Sequence, residues 1–137
     1  MYLFDTDIIS NLLKKNPAPS LIRKLALTSA GNQFTSAITV GELVYGAFRS
    51  NRPDYFLNKL EEIVWPNITI LPFDDTAARI YGMLRAQLEK AGTPTSEPDL
   101  RIASIAISNQ KTLVTGNERH FSRIPSLQIE NWLKDEP

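Results

Sequence analysis

Short apolar runs alternate along the chain with longer segments whose apolar residues are spaced as on one face of a helix. The apolar runs, at residues 2–4, 34–37, 68–71, 112–115 and 127–129, have the length and composition of buried strands. Helical spacing occupies residues 7–13, 20–30, 39–48, 53–64, 74–91 and 96–107. This alternation favours an α/β protein, a three-layer α/β/α fold with a mainly parallel central sheet and helices on both of its faces.

Polar residues and glycines indicate where several helices begin and end. Asp7 is suited to cap the first helix, with a role as a ligand as the alternative, and Thr39 with Glu42 has the Ser/Thr-x-x-Glu spacing of a capping box. Gly31 and Gly92 are suited to stop helices at their C-termini. The last long helix, at residues 96–107, is apolar around most of its circumference, so we expect it to be buried.

Composition narrows the class of protein. A chain of 137 residues that is 42% hydrophobic and 22% charged predicts one globular domain, residues 1–137, rather than a disordered segment. The 15 basic and 15 acidic residues balance, which argues against a protein that coats nucleic acid by bulk charge. There is no cysteine and no apolar run of membrane-spanning length, and Asp5 comes too early for a signal peptide, so we expect a cytoplasmic protein.

Three acidic residues occupy equivalent places in the predicted fold. Asp5 follows the first strand, Glu42 lies in the first turn after the second strand, and Asp99 lies in the first turn of the buried helix. Each acid alone is adequately explained as a helix cap or as a partner of the helix dipole. The carboxyl ends of parallel strands, however, share one edge of the sheet, where such folds bind ligands. Asp5 and Glu42 are therefore expected to meet at that edge.

Clustered carboxylates repel one another unless a cation offsets their charge. Because the chain has no cysteine, oxygen ligands predominate, and these favour Mg²⁺ or Mn²⁺. A divalent ion at this edge permits metal-assisted hydrolysis of a phosphodiester bond. The spacing of the acids is compatible with that chemistry and does not by itself demonstrate it.

Four segments, residues 2–9, 38–43, 98–103 and 113–121, together resemble the PIN-domain ribonucleases, and most closely the VapC toxins of bacterial toxin–antitoxin pairs. The resemblance extends over essentially the whole chain. It implies a Mg²⁺- or Mn²⁺-dependent endoribonuclease that is neutralised by a cognate VapB-type antitoxin, is homodimeric and has no membrane association. The expected substrate is RNA.

The resemblance also assigns roles to individual residues. It implies that Asp5 and Asp99 are the principal metal ligands and that Glu42 is the third acid, ligating directly or through water. Thr115 and Asn117 match a Thr-x-Asp/Asn element, whose last position is a fourth acid in many relatives. An amide at that position brings no negative charge, so the number of bound ions, one or two, stays open.

Several neighbouring residues have both a functional and a structural interpretation. Glu97 and Glu118 are near enough in sequence to replace the missing acid, although both are equally natural at helix starts. His120 is expected to be packed or to satisfy a turn, with phosphate contact as the alternative. The hydroxyls of Thr6 and Thr115, at strand ends, are candidates to hold a carboxylate or a water.

Two other functions remain as alternatives. Asp5 and Asp7 have the Asp-x-Asp spacing of an aspartyl-phosphate phosphatase, although that function leaves Glu42 and Asp99 unexplained. The other alternative is a non-catalytic module that binds RNA or protein and whose acids only cap helices. A capping role predicts that Mg²⁺ and Mn²⁺ do not bind.

Overall fold

The structure is a computed structural model that describes residues 1–134 of the chain. The strands within this part are β1 (Tyr2–Phe4), β2 (Gln33–Ser36), β3 (Thr69–Leu71), β4 (Thr112–Val114) and β5 (Ile129–Glu130). The α-helices are α1 (Thr6–Leu12), α2 (Pro19–Ala26), α3 (Ala37–Arg49), α4 (Pro53–Lys59), α5 (Asp75–Lys90), α6 (Glu97–Ser108) and α7 (Glu118–Phe121). A π-helical segment, Leu60–Val64, continues α4, and Ala30–Asn32 and Trp65–Asn67 form 3₁₀ turns. No helix within residues 1–134 has the length and apolar character needed to cross a membrane.

The strands form one parallel sheet in the order β3-β2-β1-β4-β5. In the central strand, Leu3 pairs with Phe34 on one side and with Leu113 on the other. The chain builds one half of the sheet outward from β1 and then crosses over to build the other half. The order of strands reverses between β1 and β4, and open α/β sheets bind ligands outside the carboxyl ends of strands at such a point.

Helices cover both faces of the sheet, which confirms the predicted three-layer α/β/α architecture. Leu3 and Leu113 pack into a cluster with buried residues of α5 and α6. Phe4 and Val114, the next residue in each strand, point to the opposite face and pack with residues of α1, α2 and the π-helical segment. The predicted burial of α6 is also confirmed, since Ile102 and Ile105 are both fully buried.

Two helices begin earlier than the sequence predicts. Asp5, rather than Asp7, caps α1, because Asp5 keeps the extended backbone of the strand and its Oδ1 accepts the Thr6 N–H at 2.7 Å. The capping box at Thr39 and Glu42 is also wrong. Ser36 keeps an extended backbone at the end of β2, and its hydroxyl accepts the Thr39 N–H at 3.0 Å. The cap is the residue directly after β1 in one helix and the last residue of β2 in the other, which leaves Asp7 and Glu42 available for other contacts.

One predicted glycine stop is correct and the other is not. Gly92 follows α5 with φ of +74°, a conformation in which a side chain is strained. Gly31 does not end α2, which stops at Ala26 with Leu27 as its C-cap, and instead lies in a 3₁₀ turn before β2. The last strand is at the edge of the sheet as predicted, although it spans Ile129–Glu130 instead of residues 127–129.

Candidate active site

Asp5 occupies the centre of the carboxyl edge of the sheet and is only 3% exposed. It directly follows β1, and its own N–H donates to Val114 O of β4 at 2.9 Å. The Asp5 Oδ1 accepts the Thr6 N–H at 2.7 Å, and Oδ2 accepts the Thr115 hydroxyl at 2.9 Å. The carboxylate is therefore held in one orientation by groups from both central strands.

The pKa of Asp5 is raised from 3.8 to about 7. Burial is the largest cause, and the neighbouring charge of Asp7 is the next; the hydrogen bonds from Thr115 and Thr6 lower the pKa but do not compensate, and Asp99 raises it further. Among residues 1–134, no Lys or Arg side chain pairs with the Asp5 carboxylate, so no such ion pair neutralises its charge beside those of Asp7 and Asp99.

Thr115 links Asp5, which follows β1, to the turn that follows β4. It is fully buried at the end of β4, where its hydroxyl donates to Asp5 and accepts the Asn117 N–H at 3.0 Å. The side chain of Asn117 is exposed at the start of α7. The prediction that Thr115 holds a carboxylate is confirmed, and Asn117 lies in the adjoining turn.

Glu42 projects from α3 toward the start of α1. The Thr6 hydroxyl donates to Glu42 Oε1 at 2.6 Å and lies 3.2 Å from Thr39 Oγ1. Thr39 is buried and also lies 3.2 Å from the Ser36 hydroxyl. This chain of hydroxyl groups confirms the prediction that Thr6 holds a carboxylate, and it ties the β2–α3 turn to the β1–α1 turn.

Asp99 approaches the same edge from the first turn of α6. Its side chain is 22% exposed, and its Oδ2 lies 3.4 Å from Nδ1 of His120. The negative charge of Asp99 contributes to the raised pKa of Asp5. His120 itself is 62% exposed, so the expectation that it is packed is wrong. Asp99 and His120 instead line a small open pocket that also includes Arg123.

Asp7, which the sequence predicts as the cap of α1, instead links two turns at the edge of the sheet. Its Oδ2 accepts the Gly116 N–H at 2.8 Å, which links the β1–α1 turn to the β4–α7 turn. Its Oδ1 is buried and has no hydrogen-bond partner. Burial raises the pKa of Asp7 as well. The signal available in the sequence was the Asp-x-Asp spacing, because a helix has one N-cap residue and the other acid is then left for a different contact.

The acids considered as replacements for a missing fourth acid are engaged elsewhere. Glu97 accepts the Tyr81 hydroxyl at 2.6 Å and pairs with Arg101 at 3.1 Å. Glu118 pairs with Lys134 at 2.7 Å and accepts from the Asn131 side chain. These contacts lower the pKa of both glutamates, the hydrogen bonds from Tyr81 and Lys134 being the largest causes. Neither glutamate contributes free charge to the edge of the sheet.

The edge therefore has oxygen donors of the kind that a hard divalent cation prefers. Among residues 1–134, no group of three or more His, Asp or Glu side chains already has the arrangement of a metal cage. The uncompensated charge at Asp5 and the unpartnered oxygen of Asp7 nevertheless fit a cation, since a cation lowers the energy of both groups.

Comparison with models of known protein families identifies the family of this chain. The family model described as "PIN domain" matches residues 2–127. The chain belongs to the PIN-domain family. Among characterised PIN-domain relatives, Ribonuclease VapC2 of Haemophilus influenzae is 36% identical over 132 residues, covering 96% of this chain and 98% of that protein. The tRNA(fMet)-specific endonuclease VapC of Shigella flexneri is 34% identical over 131 residues, covering 96% and 97% of the two chains.

Solved structures give the same assignment. The VapBC2 complex of Rickettsia felis, bound to a DNA fragment from its promoter, contains a chain with a TM-score of 0.87 and 37% identity. The match covers 96% of this chain and 98% of that one. Within the PIN-domain family, the protein is therefore a VapC-type ribonuclease, and the aspartyl-phosphate phosphatase alternative is not supported.

Proposed function

We propose that the protein is the toxin of a type II toxin–antitoxin pair and that it hydrolyses RNA phosphodiester bonds with Mg²⁺ or Mn²⁺. The observation that carries the proposal is the buried Asp5 carboxylate, which is oriented by Thr115 and Thr6 and has a pKa raised to about 7. A fixed, buried carboxylate surrounded by other acids is costly without a cation. The endonuclease and ribonuclease names of the relatives support the same reaction.

In this proposal Asp5 and Asp99 are the principal ligands of the ion, and Glu42 ligates directly or through water. When bound, a divalent cation supplies an activated water and offsets the charge of the phosphate. The hydroxyls of Thr115 and Thr6 keep the carboxylates of Asp5 and Glu42 oriented. Asn117, in the turn fixed by Thr115, accepts a hydrogen bond or orients water without adding charge.

The test compares Asp5→Asn and Asp99→Asn with the matched control Glu118→Gln, whose carboxylate pairs with Lys134. Both aspartate variants are expected to lose RNA cleavage by at least about 1,000-fold and to lose Mn²⁺ binding in calorimetry, with unchanged circular dichroism. Glu118→Gln is expected to keep both. Full cleavage by either aspartate variant contradicts the proposal, and absence of Mn²⁺ binding in the unaltered protein favours the non-catalytic binding module.

We also propose that a cognate antitoxin neutralises the protein by occupying a groove beside the site. The groove has a volume of about 800 Å³, lies between α1, α3 and α4 and begins at Thr6 and Glu42. Its floor includes Leu13, Leu43 and Phe56. The basic residues on its walls are Lys14, Lys15, Arg52 and Lys59. A segment with apolar and acidic side chains fits these walls, and the VapBC complexes among the structural neighbours support a VapB-type partner.

Charge reversal at the rim tests the groove. Lys14→Glu combined with Lys15→Glu is expected to weaken the affinity for the cognate VapB-type antitoxin by at least about tenfold, because like charges then oppose each other. Lys90→Glu, an exposed position at the end of α5, is the matched control. Affinity that is equal in the groove variant and the control contradicts this location.

A further inference from the structure

Asp7 carries a contact that neither helix capping nor packing explains. One of its oxygens, Oδ2, accepts the Gly116 N–H at 2.8 Å. The other, Oδ1, is buried without any donor, a property that only Arg101 Nε shares among the side-chain atoms of residues 1–134. Burial of an unpaired carboxylate oxygen is unfavourable, so most such atoms in proteins have a partner. The free oxygen of Asp7 is therefore available to a cation, although the Ile8 N–H and the Asp5 carboxyl act on the same side chain and lower its pKa.

The position of Asp7 indicates what that partner is. Asp5 already caps α1, so Asp7 is not needed at the helix start. The link to Gly116 uses a single oxygen of Asp7, and a neutral amide would serve there equally well. The two carboxylates also lie close enough for the charge of Asp7 to act on Asp5. A cation relieves the electrostatic repulsion between two buried carboxylates, whereas another group with a negative oxygen increases it.

The two glutamates considered as replacements for a fourth acid do not provide the same charge. Glu97 and Glu118 are held in ion pairs with Arg101 and Lys134. Asn117, in the turn that Asp7 holds through Gly116, is uncharged. Like Glu42 and Asp99, Asp7 is an acid of this edge that no Lys or Arg side chain pairs with in the described part of the chain.

We propose that Asp7 is a further acidic residue of the divalent-cation site, and that its unpartnered Oδ1 is the group through which it stabilises the ion. Its other oxygen keeps the β4–α7 turn, and with it Thr115 and Asn117, against Asp5. This inference rests on the proposed function, since it concerns the same site. In this proposal, Asp7 supplies the negative charge that the uncharged amide of Asn117 does not supply at the position of the fourth acid.

The experiment measures Mn²⁺ binding by calorimetry on the full chain, with Asp7→Asn as the main variant. Asparagine keeps an acceptor for the Gly116 N–H and removes the charge, so the fold is retained and the melting temperature in EDTA does not fall. The dissociation constant for Mn²⁺ is expected to rise by at least about tenfold, as for changes beside metal ligands. Asp7→Ser, a second neutral variant, carries the same expectation if the asparagine variant folds poorly.

Glu118→Gln removes one negative charge from the adjoining helix and is the matched control. It is expected to change the dissociation constant by less than about twofold, because Lys134 already neutralises that carboxylate. Equal losses in Asp7→Asn and Glu118→Gln indicate a general charge effect and overturn the proposal. So does Mn²⁺ affinity that is unchanged in both Asp7 variants.

The failure of this inference is distinct from the failure of the proposed function. If Asp5→Asn abolishes Mn²⁺ binding and Asp7→Asn leaves it unchanged, the ribonuclease proposal stands and the role of Asp7 is refuted. If the unaltered protein does not bind Mn²⁺ and does not cleave RNA, both proposals are refuted together.

Discussion

Asp5 shows how burial outweighs hydrogen bonding at a single carboxylate. Both of its oxygens have a donor, from Thr6 and Thr115, and each donor lowers the pKa. Burial and the charge of Asp7 act in the opposite direction and raise the pKa to about 7. At neutral pH a proton and a cation therefore compete for the same group, and the metal-free protein is less stable than its packing alone allows.

Replacing Asp5 with Asn tests this electrostatic penalty. Because the pKa of Asp5 is higher in the folded chain than in the unfolded chain, the contribution of Asp5 to stability is present below about pH 4 and is lost as pH rises to about 7. In EDTA, Asp5→Asn is expected to match the unaltered protein near pH 4. At pH 8 it is expected to melt roughly 5 °C higher by calorimetry.

The same measurement with Mn²⁺ provides the control. Added Mn²⁺ is expected to raise the melting temperature of the unaltered protein at pH 8 and to leave that of Asp5→Asn unchanged. A melting temperature for Asp5→Asn that lies below the unaltered value at pH 8 in EDTA would show that the hydrogen bonds to the carboxylate outweigh its burial.

At the scale of elements, the decisive feature is that each strand leads directly into a turn or helix at one edge of the sheet. The alternation of apolar runs predicts the strands and the buried α6 correctly, since these depend on local periodicity. The caps of α1 and α3 are predicted wrongly, because Asp5 and Ser36 become caps only through the extended backbone that sheet pairing imposes on them. Tertiary pairing, rather than residue preference, sets where these helices begin.

Gly116 illustrates how closely two of these turns approach. A Cβ at this position would lie 2.7 Å from Asp7 Oδ2 and 2.7 Å from Leu133 Cδ1. Leu133 meets the added Cβ with the end of a rotatable side chain, whereas Asp7 is held by the Gly116 N–H itself. Gly116→Ala is therefore expected to destabilise the protein by about 1–3 kcal/mol in denaturant unfolding, and to weaken Mn²⁺ binding because the β4–α7 turn shifts.

Gly82→Ala is the matched control for this prediction. Gly82 lies within α5, and a Cβ there meets nothing within 4 Å. Alanine in a helix interior is expected to stabilise the protein by about 0.5–1 kcal/mol, with unchanged Mn²⁺ affinity. If both glycine variants proved equally stable, the close approach at Gly116 would be without consequence for folding.

At the scale of the whole molecule, the sequence identifies the acids more readily than their partners. Asp5, Glu42 and Asp99 are predictable because each follows a strand or opens a helix. The hydrogen bonds from Thr115 to Asp5 and from Thr6 to Glu42 depend on how distant segments pack, which no local pattern reports. The engagement of Glu97 by Tyr81 and Arg101 is hidden from the sequence for the same reason.

Two exposed aromatic residues on α3 are the candidates for the contact in the expected homodimer. Tyr45 and Phe48 lie three residues apart on α3 and are 62% and 65% exposed, so they form an apolar strip on one side of the helix. Light scattering is expected to give a mass of twice 15.4 kDa for the purified protein. Phe48→Ser is expected to halve that mass without lowering Mn²⁺ affinity. A monomeric mass for the unaltered protein contradicts the expectation.

The hydrogen bond between Thr115 and Asp5 joins residues 110 positions apart in the chain. Because β4 is made long after β1, a nascent chain that ends before β4 lacks one of the two strands that form the edge where Asp5 lies. The site between these two strands is therefore completed late in synthesis. Under the proposed function, nascent copies that end before β4 have no assembled site, and RNA cleavage is expected only after β4 has been made.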